Sequence, residues 1–147
     1  MTNKSDFTEE EWRLVLEAPP TAALVVITSA RGGMFRETFA IGKTYAEARQ
    51  QHGESELLDA IVAAKPVIDH SRYHSPEELK QHGLEELRQA VGLLAGKATA
   101  EELDEYRRFV VGLAERVAEA HREDGVAISG PERQALDEIS SALDATA

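Results

Sequence analysis

An acidic residue and a glycine precede a short apolar loop near the end of the chain, in the stretch HREDGVAISGPERQAL. Asp124 closes the polar run, and Glu132 follows the loop at the predicted start of a helix. Two carboxylates that flank a loop supply oxygen ligands of the kind that divalent cations prefer. Because the loop adds only backbone carbonyls and the Ser129 hydroxyl, any affinity for calcium or magnesium is expected to be weak.

The same stretch is also typical of two helix caps, one that ends a helix and one that starts the next, with no metal bound. Gly125 suits the left-handed backbone position that ends a helix. Ser129 and Glu132 have the spacing of a capping box, and Pro131 fits the first turn that follows. This interpretation accounts for every residue of the stretch, so we favour it, with a weak cation site at Asp124 and Glu132 as the alternative.

The remaining polar residues form no recognisable catalytic or cofactor motif. His70 and His74 are four residues apart, but they precede Pro76 in a predicted connector, where helical metal-binding geometry is not expected. The glycines of RGGMFRE match neither nucleotide-binding fingerprint and indicate a turn. We therefore predict no catalytic residue and no cofactor. The alternative is a pocket of dispersed residues, with aromatic candidates at Trp12, Phe35, Phe39 and Tyr106.

The composition narrows the classes of function. The 147 residues include 27 acidic and 16 basic ones, which gives a formal net charge of −11. A surface of this charge repels nucleic-acid phosphates and anionic membranes, so neither is an expected partner. The chain has no cysteine for thiolate chemistry. No apolar segment is long enough for membrane insertion, and the start MTNKSDFTEEEW lacks a signal segment, so a cytoplasmic location is expected.

Sequence patterns that start helices recur along the chain, and the helices they start would position the residues of any site. A Ser or Thr cap precedes a glutamate by three residues at Thr8/Glu11, Ser75/Glu78 and Thr99/Glu102. Pro19 and Pro20 are expected to end the first helix. The β-branched run TAALVVITSA after them is predicted to be a second helix, because the chain offers no other strand to pair with it.

Apolar residues at helical spacing extend these starts into an all-α domain. The longest amphipathic segment, from Ala100 to Arg122, is expected to pack inside the monomer. Gly96 is expected to end the helix before it. Together the signals predict one bundle of about seven helices over residues 1–147, with residues 1–6 and 144–147 frayed. ALVVITSARGGMFRETFAI also has the order helix, glycine, glutamate, helix, which suggests two pseudo-repeated halves.

Residues 109–143, FVVGLAERVAEAHREDGVAISGPERQALDEISSAL, resemble the repeated segment of the TerB-like helical proteins associated with tellurite resistance. In that family a helix ends in an acidic residue and glycine, and a glutamate opens the next helix after a short loop. Asp124, Gly125 and Glu132 occupy these places here. The resemblance implies an all-helical intracellular protein linked to stress response and to divalent cations. The first half departs from this pattern, since Arg31 precedes the glycines.

Two functions remain in competition at this point. The first is a non-catalytic acidic helical module for interaction or stress response, which binds a protein partner or forms a homodimer through the helices that flank RGG. The second is a small-ligand-binding protein or an enzyme whose pocket is formed by dispersed residues.

Overall fold

The chain folds into helices that pack against one another. The computed structural model describes residues 4–29, 34–50, 56–64, 75–123 and 130–144. Within these ranges no residue lies in a strand, and a short 3-10 turn, Lys4–Asp6, precedes six helices. They are α1 (Glu9–Ser29), α2 (Met34–Gln50), α3 (Glu56–Ala63), α4 (Pro76–Lys97), α5 (Ala100–Glu123) and α6 (Gly130–Leu143). The predicted all-α class is confirmed, and none of these helices is long and apolar enough to cross a membrane.

The two predicted capping boxes at Thr8 and Thr99 are formed. The Glu11 amide donates to Thr8 Oγ1 over 3.1 Å, and the Thr8 amide donates to Glu11 Oε1 over 2.8 Å. At the start of α5 the corresponding distances between Thr99 and Glu102 are 3.1 and 3.0 Å. Each box satisfies amides that the first turn of a helix leaves without an intrahelical partner.

The prediction that Pro19 and Pro20 end the first helix is wrong. Both prolines lie inside α1, which continues through the β-branched run to Ser29, so the first two predicted helices are one. An internal proline removes a hydrogen bond and strains the preceding turn. Here both prolines are buried, and almost every residue from Ala18 to Ile27 lies in the core, so burial of apolar surface offsets that cost.

Helix α4 begins as predicted but ends differently. The Glu78 amide donates to the Ser75 hydroxyl over 3.1 Å. Gly96 lies within the last turn rather than after it, and the cap is Ala98 in extended backbone, whose amide donates to the Leu94 carbonyl. An extended residue ended the helix without the left-handed glycine that the sequence suggested.

Cross-helix contacts define how the three longest helices run. Lys97, at the end of α4, bonds to Glu11 near the start of α1, whereas Gly83 lies against Val25 farther along α1. Helices α1 and α4 are therefore antiparallel. Helix α5 returns from the same end beside α1, so their amino termini lie close together.

A close approach between α1 and α4 depends on Gly83. A Cβ atom at this position would lie 2.9 Å from Val25 Cγ2 and 3.2 Å from Thr21 Cγ2. Val25 and Thr21 are both buried, so neither has much room to move. Helix α5 contributes its apolar face to the same core. The buried residues of this face are Leu103, Tyr106, Val110, Leu113 and Val117.

Candidate functional site

The predicted cation ligands are only partly within the described chain. Asp124 lies outside the described residues, as do Gly125 and Ser129. Glu132 belongs to the first turn of α6, but its side chain is not described. The cation site and the alternative capping box therefore remain predictions. Elsewhere in the described ranges, no three His, Asp or Glu side chains are grouped so that they could hold a metal ion.

Two of the four predicted aromatic candidates have described side chains, and the pocket they would line remains a prediction. Trp12 is buried and packs against Phe7, with ring centroids 5.5 Å apart. Tyr106 is buried in the core. Phe35 and Phe39 lie on α2, and their side chains are not described.

The Tyr106 hydroxyl has a specific structural partner. It donates a hydrogen bond of 2.9 Å to the backbone carbonyl of Val15. In a regular helix this carbonyl would accept from the amide four residues later, but that residue is Pro19, which has no amide hydrogen. Tyr106 thus replaces the bond that the proline removes, and joins α5 to the middle of α1.

Tyr45 is a second buried tyrosine in the same interior. Its ring meets the Phe109 ring edge to face, with centroids 5.2 Å apart. The structure shows no hydrogen-bond partner for its hydroxyl among the described residues. A buried donor without a partner is unfavourable, so packing alone does not account for the position of this hydroxyl.

Burial keeps both tyrosines protonated. Desolvation raises the pKa of Tyr45 well above its ordinary value, and the positive charge of Arg49 opposes this effect. The pKa of Tyr106 is raised in the same way, first by burial and then by the electrostatic effect of the neighbouring Tyr45 and Glu86 side chains. Both phenols are therefore protonated at neutral pH, so each hydroxyl is able to donate a hydrogen bond.

Two arginines hold the ends of neighbouring helices. Arg49 Nε donates over 2.6 Å to the carbonyl of Val62 in the last turn of α3. Arg107 Nε donates over 2.8 Å to the carbonyl of Leu143, the last residue of α6. A cation at a carboxyl terminus satisfies an orphan carbonyl and complements the helix dipole. These two side chains thus have structural roles, although arginines are also common anion ligands.

A lysine organises the end of the bundle where α1 and α5 begin. Lys97 Nζ donates to Glu11 Oε1 and to the Asp6 carbonyl, both over 2.9 Å, and lies 5.5 Å from the centre of the Phe7 ring. The Thr8 amide and Lys97 both lower the pKa of Glu11, with the Thr8 bond as the larger cause. The same end carries exposed carboxylates in the first turns of α1 and α5.

Comparisons of the chain with protein families, characterised proteins and solved structures found no match.

Several of these roles were not found from the sequence. Tyr45, Arg49, Arg107 and Lys97 have no motif around them, and the backbone carbonyls that the two arginines and Lys97 contact are 13 to 91 residues away along the chain. One signal was present, since a proline inside an apolar run frees a carbonyl that needs a donor from elsewhere. Tyr106, on the buried face of the longest amphipathic helix, was a donor suited to that place.

Proposed function

We propose that the chain is a non-catalytic helical interaction module that binds a positively charged protein surface through one acidic end. This end, which we call the acidic end, consists of the exposed residues Glu9, Glu10 and Glu101. The observation that supports the proposal most is the placement of these carboxylates. Lys97 forms an ion pair with Glu11 in the first turn of α1, and Lys97 precedes Glu101 of α5 by only four residues in the chain. The acidic first turns of α1 and α5 therefore lie at the same end of the bundle.

The roles of the interior polar groups support the same proposal. Tyr106, Arg49 and Arg107 all bond to backbone carbonyls of other helices. These groups, whose chemistry suits acid–base or anion-binding roles, here hold helices together. Exposed carboxylates at the acidic end are left to act on a partner, where complementary charge speeds association and gives specificity.

The setting we propose is cytoplasmic and stress-associated. It is supported by the resemblance of residues 109–143 to the TerB-like proteins. A homodimer through the helices that flank RGG remains a further prediction, since Arg31, Gly32 and Gly33 lie outside the described residues.

Calorimetric titration with an oligolysine peptide, at low and at moderate salt, tests the proposal. We expect binding to weaken as salt is added. At physiological ionic strength the Debye length is about 8 Å, and the attraction between exposed charges farther apart than this is largely screened. Replacing the three acids of the acidic end by glutamine should weaken binding several-fold. The matched control neutralises three exposed acids elsewhere: Glu85, Glu115 and Asp137.

The control separates local binding from the effect of net charge, because both triple variants change the charge by the same amount. If the two variants lose affinity equally, the acidic end is not a site and the proposal fails. It also fails if neither variant changes the affinity.

A small-ligand-binding protein is the second candidate, and the Tyr45 hydroxyl is the observation that favours it. A ligand with a hydrogen-bond acceptor would satisfy this buried donor. A thermal-shift screen of small polar compounds tests the idea, with Tyr45→Phe as the control. A compound that stabilises the wild type but not the variant supports this candidate, whereas equal stabilisation of both contradicts it.

A further inference from the structure

The first residues of the described chain lie across the corner between α4 and α5. We call residues 4–7 the amino-terminal strap. Phe7 is buried against Trp12, and the Asp6 carbonyl accepts a hydrogen bond from Lys97. The strap therefore covers the indole of Trp12, which is the only tryptophan in the chain.

The contacts of Lys97 include three that depend on its positive charge or are strengthened by it. They are the ion pair with Glu11, the hydrogen bond to the Asp6 carbonyl and the cation–π contact with the Phe7 ring. Two of these three contacts are with the strap itself. Each contact of this kind is weak at a solvent-exposed position. The Lys97 side chain is 35% exposed, so solvent and reagents reach it.

Helix α1 does not need the strap in order to begin. Its first turn is closed by the capping box between Thr8 and Glu11, and both bonds of the box lie within residues 8–11. Glu11 Oε1 accepts from both Thr8 and Lys97, so loss of the lysine contact leaves the bond to the Thr8 amide in place. The strap can thus leave the corner while α1 stays folded.

From these contacts we propose that Lys97 is a charge-dependent latch, and that loss of its positive charge raises the population in which the strap is open and Trp12 is uncovered. The latched state keeps the Phe7 and Trp12 rings out of water. The open state exposes both rings at the end of the bundle where α1 and α5 begin. This inference concerns a conformational change within the chain and does not depend on the partner proposed above.

The charge-removing variant Lys97→Gln tests the latch, and Trp12 is the reporter. We expect a red-shifted tryptophan emission and a rise of about tenfold in the open population, the change that about 1.4 kcal/mol produces. Acrylamide quenching measures this opening, and circular dichroism should show unchanged helix content. Lys97→Arg keeps the charge and should preserve the wild-type quenching. Lys80→Gln is the matched control, because Lys80 pairs with Glu138 on α6, away from the strap.

Two further measurements make the result decisive. In hydrogen exchange, the amides of residues 5–7 should lose protection in Lys97→Gln while those of α1 keep it. In the wild type, molar salt should increase acrylamide quenching, because it screens the latch without any substitution. Unchanged quenching in both Lys97→Gln and high salt would overturn the proposal. So would loss of α1 protection together with the strap, or an equal effect of Lys80→Gln.

Discussion

Replacing Tyr106 by phenylalanine should destabilise the fold, because it leaves one buried backbone carbonyl without a hydrogen-bond donor. The substitution keeps the ring and removes only the hydroxyl that donates to the Val15 carbonyl. Val15 is fully buried, and Pro19 has no amide hydrogen with which to replace the lost donor. The variant therefore leaves a buried acceptor without a partner, which is a larger penalty than the net loss of an ordinary hydrogen bond.

The size of the effect follows from the cost of such an acceptor. A buried polar group left without its partner costs about 1–3 kcal/mol. For a chain of this length, 1 kcal/mol corresponds to a change of about 2–4 °C in Tm. We expect chemical denaturation of Tyr106→Phe to show a loss of free energy of unfolding within this range, with the slope against denaturant unchanged.

A double-mutant cycle with Pro19→Ala identifies the cause. Alanine at position 19 restores an amide that can donate to Val15, so Tyr106→Phe should then cost much less than it does in the wild type. The expected coupling energy is about 1 kcal/mol or more. If Tyr106→Phe costs the same free energy of unfolding with proline and with alanine at position 19, the Tyr106 hydroxyl does not replace the missing amide, and the reasoning is refuted. Tyr45→Phe is the matched control, because its hydroxyl has no such partner in the described structure.

Three other predictions test separate parts of the structure. Gly83→Ala should cost about 1–3 kcal/mol in thermal unfolding because its Cβ meets buried side chains of α1, whereas Gly96→Ala, with open space around it, should be neutral or stabilising. The raised pKa values of Tyr45 and Tyr106 should leave stability intact below pH ~10 and reduce it above, with the tyrosinate absorbance of these two residues appearing only on unfolding. Millimolar calcium should leave Tm unchanged; an increase that Asp124→Asn abolishes would instead establish the cation site.

The sequence predicted those features that depend on local spacing. The capping boxes at Thr8 and Thr99 need only residues three positions apart, and both are formed as expected. The buried face of α5 likewise follows from its helical period. Long-range partners were not predicted, because no local rule states which carbonyl Arg107 or Lys97 will reach. The interior hydrogen bonds and the contacts of Lys97 were therefore found only in the folded chain.

The wrong prediction at Pro19 shows how local sequence chemistry and long-range contacts together decide where a helix ends. Local chemistry correctly says that a proline deprives the preceding turn of a donor, and from this the helix was expected to stop. The conclusion failed because the missing donor came from Tyr106, 91 residues beyond Val15 in the chain. A proline inside an otherwise helical apolar run is thus also a prediction of tertiary structure: either the helix ends, or another element must bring a donor to the freed carbonyl. Here the second outcome fixes where α5 lies on α1.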